Sequence, residues 1–318
     1  MTDLEMERLL SKIARLYYLE DMNQDQIADK FNINRVRVSR YLKRAREKDL
    51  VEIKVKSPPE SYQALERAIE TAYGLKECIV VAGSATADVL RGMASALSGV
   101  LERVLKDGDY VGVNYGITLK GISPYLNSVK REAIKVVPIV GGIGRIETGI
   151  HTNVIAKNFA DALGGISYVI NAPAILDSKE AKDILMRDSN TREIFDLIGK
   201  LSVVVFSFSD IGPDCNYARF GFLSEEDLAY LRELGSVGDV NLDFIDTEGM
   251  PIPNRIFDRV ITSPIIDLKN VKNVIGVAYG TRKRDITRAV LKGRVVKVLI
   301  IDKSLAESLV DSDFHGSS

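Results

Sequence analysis

The chain has 318 residues, of which 46% are hydrophobic, with a formal net charge of −1 and a mean hydropathy close to zero. That is enough apolar material for one small domain and one of ordinary-to-large size. No stretch approaches the roughly 18–20 apolar residues needed to cross a bilayer, and the acidic start MTDLEMERLL does not have the basic-then-apolar plan of a signal peptide. Two cysteines, Cys78 and Cys215, form neither a disulfide framework nor a metal-ligand spacing, so the expected setting is cytoplasmic and reduced, with no metal, no cofactor and no membrane contact.

The near-neutral charge conceals an uneven distribution. Residues 1–56 hold 13 Lys/Arg against 10 Asp/Glu, a balance of +3, and residues 35–48 hold seven basic residues and one acid. Within the first segment, Leu9, Ile13, Leu16 and Tyr17 recur at helical spacing over residues 4–19. Asn23 is placed to cap a second helix and Asn34 a third, with Asn32 at the sharp turn between them, where its tolerance of the left-handed region substitutes for glycine. A short strand is expected at Val51–Val55. Counted from Gln24, the apolar or small residues Ile27, Ala28, Phe31, Ile33, Val38 and Tyr41 fall where two helices lock across the tight turn of a DNA-binding helix-turn-helix. The same count turns Asn34, Arg35, Arg37, Ser39, Arg40, Lys43 and Arg44 outward on the third helix, toward base edges and phosphates. Gln24 and Gln26 are placed to bond the phosphate backbone. A module this small offers few contacts, so paired half-sites read by a homo-oligomer, a dimer or tetramer, are expected.

Ser57–Ser61 reads as a linker. Beyond it, Val- and Ile-rich runs alternate with helical ones: strands at Glu77–Val81, Tyr110–Asn114, Ile134–Val140, Ser167–Ile170, Ser202–Phe206, Val274–Ala278 and Lys297–Ile301, and helices at Asp88–Leu105, Ile155–Leu163, Ser178–Arg187, Glu225–Leu234 and Lys283–Leu291. The expected fold class is therefore α/β, a mostly parallel sheet covered on both faces and preceded by the helix-turn-helix. The domains are residues 1–56, a linker at 57–61, a ligand-binding and oligomerising domain at 62–312, and a disordered tail at 313–318.

In such sheets ligands sit beyond the carboxyl ends of the strands. Three glycine loops fall on that edge. Asn114-Tyr115-Gly116-Ile117-Thr118 runs from a strand into a helix, so that free amides and the Thr118 hydroxyl can donate to an anion. Gly141-Gly142-Ile143-Gly144-Arg145 follows the third strand. Tyr279-Gly280-Thr281-Arg282-Lys283 opens another helix and brings the Lys283 charge to the rim. Together they describe a phosphate pocket. Asp239, in Gly235-Ser236-Val237-Gly238-Asp239, either accepts from sugar hydroxyls or caps a turn.

These blocks, in this order, resemble the SorC/DeoR-type sugar-binding transcriptional regulators over nearly the whole chain. The similarity runs from ARLYYLEDMNQDQIADKFNINRVRVSRYLKRA through DGDYVGVNYGITL, VVPIVGG, GFLSEEDL and VGD to VIGVAYGTRKRDITRAVLKG. The resemblance implies a helix-turn-helix ahead of a Rossmann-like domain akin to the sugar-phosphate isomerase/deaminase fold. It also implies oligomers, and a phosphorylated sugar that alters operator binding. It places Gly116, Thr118, Gly141, Gly142, Asp239, Gly280 and Lys283 on effector positions. Tyr115 stands where the family commonly has Trp, and Tyr279 where it has a second glycine. In the deoxyribonucleoside-regulator branch a lysine before the Gly-Gly pair bonds covalently to the sugar; here it is Val140, which cannot form a Schiff base, so binding is expected to be non-covalent.

Two other readings compete. An enzyme of sugar-phosphate isomerisation or deamination would need proton-transfer groups, usually including a histidine, and the chain offers only His151 and His315. A nicotinamide-nucleotide sensor would need G-x-G-x-x-G, and the loop at 141–144 is followed by Glu147 where the last glycine belongs.

Overall fold

The apolar spacing of the first 50 residues resolves into three helices, α1 (Asp3–Tyr18), α2 (Gln24–Phe31) and α3 (Arg35–Glu47), in a computed structural model that describes residues 3–52, 62–129, 131–142, 151–219 and 221–314, with side chains as far as residue 310. The chain divides into two compact units, Met1–Ser61 and Tyr62–Ser318. In the first, Leu10, Ile13, Leu16, Ile27, Val38, Tyr41 and Leu42 close one core. Asn23 and Gln26 form a reciprocal capping box, each side-chain oxygen accepting the other's backbone N–H at 2.9 Å. Asn34 accepts the Arg37 N–H at 2.9 Å and so starts α3. Asn32 takes the left-handed conformation, φ 52°, ψ 47°, that the turn demands. Of the strand expected at Val51–Val55, Val51 and Glu52 lie in no strand, and residues 53–55, like the linker at 57–61, fall outside the described residues.

The second unit begins with α4 (Gln63–Tyr73) and β1 (Glu77–Val81). It continues through α5 (Thr86–Val104), β2 (Tyr110–Val113), α6 (Ile117–Ile122), β3 (Lys135–Pro138), α7 (Thr152–Leu163) and β4 (Ile166–Ser167). Then come α8 (Lys179–Arg187), α9 (Ser189–Asp196), β5 (Leu201–Asp210), α10 (Asn216–Arg219), α11 (Glu225–Glu233), β6 (Gly238–Val240) and β7 (Asp243–Ile245). It ends with α12 (Ile265–Leu268), β8 (Asn273–Ala278), α13 (Arg284–Lys292), β9 (Val298–Asp302) and α14 (Lys303–Phe314). Seven strands lie parallel in the order β1-β9-β8-β5-β2-β3-β4.

The two-residue period of β5 assigns its side chains to opposite faces. Val203 and Val205 join one core with Met93, Leu97 and Phe159, while Val204, Phe206 and Phe208 join the other with Ile286, Val290 and Leu305. Burial on both faces explains why these strands read as continuous apolar runs rather than as alternating ones.

Two elements depart from expectation. The segment around Asp239 is an antiparallel hairpin, β6 with β7, branching from the end of β5 through the pairs Phe208–Val240 and Ser209–Asp239, with Asp239 capping its turn by accepting the Leu242 N–H. Its loop is Asn241-Leu242, both at positive φ (58° and 64°), the geometry of a two-residue type I′ turn. At the C-terminus, α14 carries the chain to Phe314, so Asp313 and Phe314, expected in a disordered tail, are helical; the remainder of that tail, His315 included, lies outside the described residues. Among the described residues no helix is long and apolar enough to cross a membrane.

Candidate functional site

Two surfaces carry the chemistry, one on each unit. On α3, the residues expected to face outward do so. Asn34, Arg35, Arg37, Ser39, Arg40, Lys43 and Arg44 are all exposed, while Val38, Tyr41, Leu42 and Ala45 are buried. The cations are not equivalent. Arg37 donates from Nε to the Tyr41 hydroxyl at 2.9 Å and lies over that ring, which leaves its two terminal nitrogens for a ligand. Arg35 lies 3.7 Å from Asp25 and Lys43 3.7 Å from Glu47, both loose, exposed pairs that a phosphate can replace at little cost. Gln26 is corrected: its side-chain oxygen is committed to the capping box, which leaves only the amide nitrogen for DNA. Gln24 is half-buried at the start of α2. Asn34 is used by its cap.

On the second unit the site forms where the connections leave the sheet in opposite directions. From β2 the chain moves out to β3, and from β5 it moves the other way to β8. The carboxyl ends of β2, β5 and β8 therefore frame a crevice, the usual ligand position in an open α/β sheet. A cleft of about 360 Å³ occupies it, lined by Ile117, Thr118, Asp210, Asn216, Arg219, Tyr279, Gly280, Thr281, Arg282 and Lys283. A shallower hollow of about 730 Å³ lies at the amino ends of β2 and β3, around Lys106, Arg131 and Gly164. Arg131 there is spent on the Leu105 and Glu102 carbonyls, so we assign the chemistry to the smaller cleft, where helix starts converge.

Within that cleft, Gly116 holds φ at 126° and begins α6, and a Cβ there would lie 2.9 Å from Ser207 Oγ. Gly280, at φ 87°, gives its amide to Asp302 Oδ1 at 2.7 Å and turns the chain into the 281–283 turn that precedes α13. Both positions need glycine, because other residues are strained at these angles. The first amides of α6 and of the turn at Thr281 have no intrahelical acceptor, and Ile117, Thr118, Gly280 and Thr281 line the same cleft. Lys283 Nζ donates to Thr118 Oγ1 at 3.1 Å and lies over the Phe208 ring. Lys283 is only half-buried as a residue, yet protein atoms crowd its ammonium. That desolvation pushes its pKa from 10.5 down to about 8, against the pull of Asp210 and Asp239. Arg282 holds Asp210 at 3.2 Å. Among the described residues Lys283 has no carboxylate within ion-pair distance.

Behind the cleft lies a polar interior. Asp239 is 2% exposed, with Oδ2 accepting the Leu242 N–H at 2.7 Å. Its Oδ1 has no partner of good hydrogen-bond geometry, although the Tyr217 hydroxyl is near enough to moderate its acidity. Burial raises the carboxyl to about 7. The side-chain nitrogen and oxygen of Asn241 and the hydroxyl of Ser263, both about 1% exposed, are also unpartnered. Buried polar atoms are ordinarily paired, so these four atoms, on the β6–β7 hairpin and on the segment before α12, lack the partners such groups normally have.

Three expected residues turn out differently. Gly141 and Gly142 give their amides to the Ile261 and Ala172 carbonyls at 2.9 and 2.8 Å, so those N–H groups do not cradle an anion. Gly141 is glycine for lack of room, since a Cβ would meet the Ala174 backbone at 2.7 Å, whereas at Gly142 it would meet only the tip of the His151 ring. Tyr115 is 6% exposed and shares a 2.6 Å hydrogen bond with the Tyr217 hydroxyl beneath the site. Arg145 lies outside the described residues. His151 caps α7, its Nδ1 accepting the Asn153 N–H at 3.3 Å, and burial lowers its pKa, keeping it neutral. Asp210, Asn216 and Arg219 were not anticipated; the length of β5 beyond Phe206 was the signal that would have found Asp210.

Comparison with known proteins agrees with this geometry. Residues 57–311 match the Sugar-bind family of sugar-binding domains, and residues 11–48 match region 4 of sigma-70. The chain is 31% identical over 311 residues to the deoxyribonucleoside regulator of Bacillus subtilis, covering 97% of this chain and 99% of that one. It is 29% identical over 310 residues to the sorbitol operon regulator of Klebsiella pneumoniae, covering 95% and 98%. The crystal structure of full-length SorC from K. pneumoniae superposes with a TM-score of 0.74 at 28% identity, covering 98% of this chain and 99% of that one. The likeness runs over nearly the whole length of both chains, and the chain belongs to the SorC/DeoR family of transcriptional regulators with a helix-turn-helix and a sugar-binding domain.

Proposed function

We propose that this regulator binds double-stranded operator DNA through α3 as a homo-oligomer, and that a phosphorylated sugar held non-covalently in the β2–β5–β8 cleft releases it. The observation that carries this reading is Lys283. A desolvated ammonium 3.1 Å from the Thr118 hydroxyl, among the starts of two helical segments, favours a compact anion with several acceptor oxygens. The unpartnered atoms of Asp239, Asn241 and Ser263 favour hydroxyl groups attached to that anion, since an unmade buried hydrogen bond costs more than a made one contributes. Val140 at the end of β3 supports reversible binding, because the side chain offers no nucleophile.

The regulator has no catalytic role in this reading: His151, the one histidine among the described residues, serves as a helix cap. Ligand control requires only that the sugar phosphate bind one arrangement of the protein better than another, which shifts operator affinity by that difference. The test is a gel-shift with DNA from upstream of its own and neighbouring genes, run against a panel of pentose, hexose and polyol phosphates with NAD beside them. Release by one sugar phosphate that is recovered unchanged is the expected result. Release by NAD, or turnover of the ligand, would overturn it.

A further inference from the structure

The first turn of α3 is built against helix stability. It contains no acidic residue, although the amino end of a helix favours negative charge. It carries instead Arg35, Arg37 and, between them, Val36, whose branched side chain is a poor helix former. Val36 is 67% exposed. At about 100° per residue it stands almost diametrically opposite the buried stripe of Val38, Tyr41, Leu42 and Ala45, at the head of the stripe continued by Arg40 and Lys43. The core does not use this side chain and the helix does not gain from it. Among Arg35, Arg37, Ser39, Arg40 and Lys43, all exposed, Val36 is the one apolar side chain on the outward face, at the start of the helix where base edges come nearest to a recognition helix.

The major groove offers one apolar group on base edges, the 5-methyl of thymine. We infer that Val36 reads thymine in each half-site by packing on that methyl, with Arg37 beside it. The Arg37 guanidinium, fixed through Nε to Tyr41, positions the turn by taking an adjacent acceptor pair. A phosphate would not select Val36, and a charged side chain at this position would bind DNA more tightly without distinguishing thymine from cytosine. This rests on the proposal that α3 enters the major groove of a duplex.

The experiment uses the full-length chain. A duplex enriched by it from a random-sequence pool is prepared with thymine and again with deoxyuridine at every position, which removes only the methyl groups. The wild-type protein is expected to bind the deoxyuridine duplex about fourfold more weakly per half-site, the factor carried by burying one methyl-sized group. Val36→Ala should bind both duplexes alike, and Val36→Ser should shift the enriched base at one position per half-site; both keep the helix, which circular dichroism checks. Equal binding of the two duplexes by wild type overturns the inference, as does undiminished discrimination by Val36→Ala. If the pool yields no enriched sequence at all, the groove-reading proposal falls, and that outcome is distinct from either of these.

Discussion

The two units present charge in opposite ways. On the helical unit the cations of α3 stand out in water, paired loosely or not at all, and they are set by a stretch of 13 residues. In the sheet unit the decisive cation is drawn inward and desolvated, and its partner Thr118 lies 165 residues away in sequence. Exposed charges suit a polyanion, which is recognised through many weak, salt-screened contacts whose positions matter more than their individual strength. A crowded ammonium suits a small ligand that must repay the loss of water with a few well-placed bonds. The difference teaches that net charge is a poor guide here: the unit with the desolvated cation, proposed to hold the smaller anion, is the more acidic by composition.

The sharpest way to break this comparison is to destroy one unit and ask what the other retains. Val38 is fully buried in a helical core of some ten side chains, and a unit this small is marginally stable. Val38→Asp places an unpaired charge there, which such a core does not tolerate. DNA affinity, followed by fluorescence anisotropy at fixed salt, is expected to fall more than a hundredfold. The calorimetric transition of the sheet unit and its affinity for the sugar phosphate should persist. Loss of both activities together would show that the cleft depends on the helical unit and that the contrast drawn here is false.

A smaller effect tests the inward cation itself. Lys283→Ala is expected to weaken sugar-phosphate binding roughly ten- to hundredfold, the range of a charge-assisted hydrogen bond, with operator binding in the absence of ligand unchanged. Acidity gives the same group a second signature. Its folded pKa of about 8 lies below the ordinary 10.5, so the unfolded chain holds more protons between those values, and the group's contribution to stability rises with pH across that window. Ligand binding runs the other way. A phosphate monoester remains a dianion above pH 7 while Lys283 loses its charge above about 8, so isothermal titration should show affinity falling toward tenfold per pH unit beyond that point. In Lys283→Ala this slope should vanish.

Legibility in the sequence followed the range of the interactions. The helix-turn-helix could be read because its caps, its turn and its apolar steps are all local; Asn32 at φ 52° is the one departure from glycine, and the known tolerance of Asn covers it. Gln26 is ambiguous in the sequence because capping and phosphate binding ask for the same side chain at the same end of a helix, and its oxygen is used by the cap. Strands β1, β2, β3, β5, β8 and β9 were legible as apolar runs, but the β6–β7 hairpin was not. Its type I′ turn is Asn-Leu, where the recognisable signal is Asn-Gly, and its strands are three residues each. The Gly141-Gly142 pair shows the limit of motif reasoning. Gly141 answers a close approach by the backbone of Pro173-Ala174, and both amides are given to backbone carbonyls, tertiary facts that a glycine pair in sequence does not reveal.

The smallest expected effect concerns the polar interior behind the cleft. Ser263 is about 1% exposed; its backbone N–H is given to the Ile139 carbonyl at 2.9 Å while its hydroxyl is left unpartnered. If the hydroxyl serves the fold, replacing it should lower the melting temperature of the free protein. If it awaits a ligand, Ser263→Ala removes an unsatisfied group, and the free protein should be as stable as wild type or up to about 1 kcal/mol more so. The sugar phosphate would then bind only a few-fold more weakly, the worth of one neutral hydrogen bond. Differential scanning calorimetry and titration on the same sample decide between the two. A lowered melting temperature with unchanged ligand affinity would return Ser263 to the scaffold, leaving Lys283 and Thr118 to bind an anion whose hydroxyls the protein does not count.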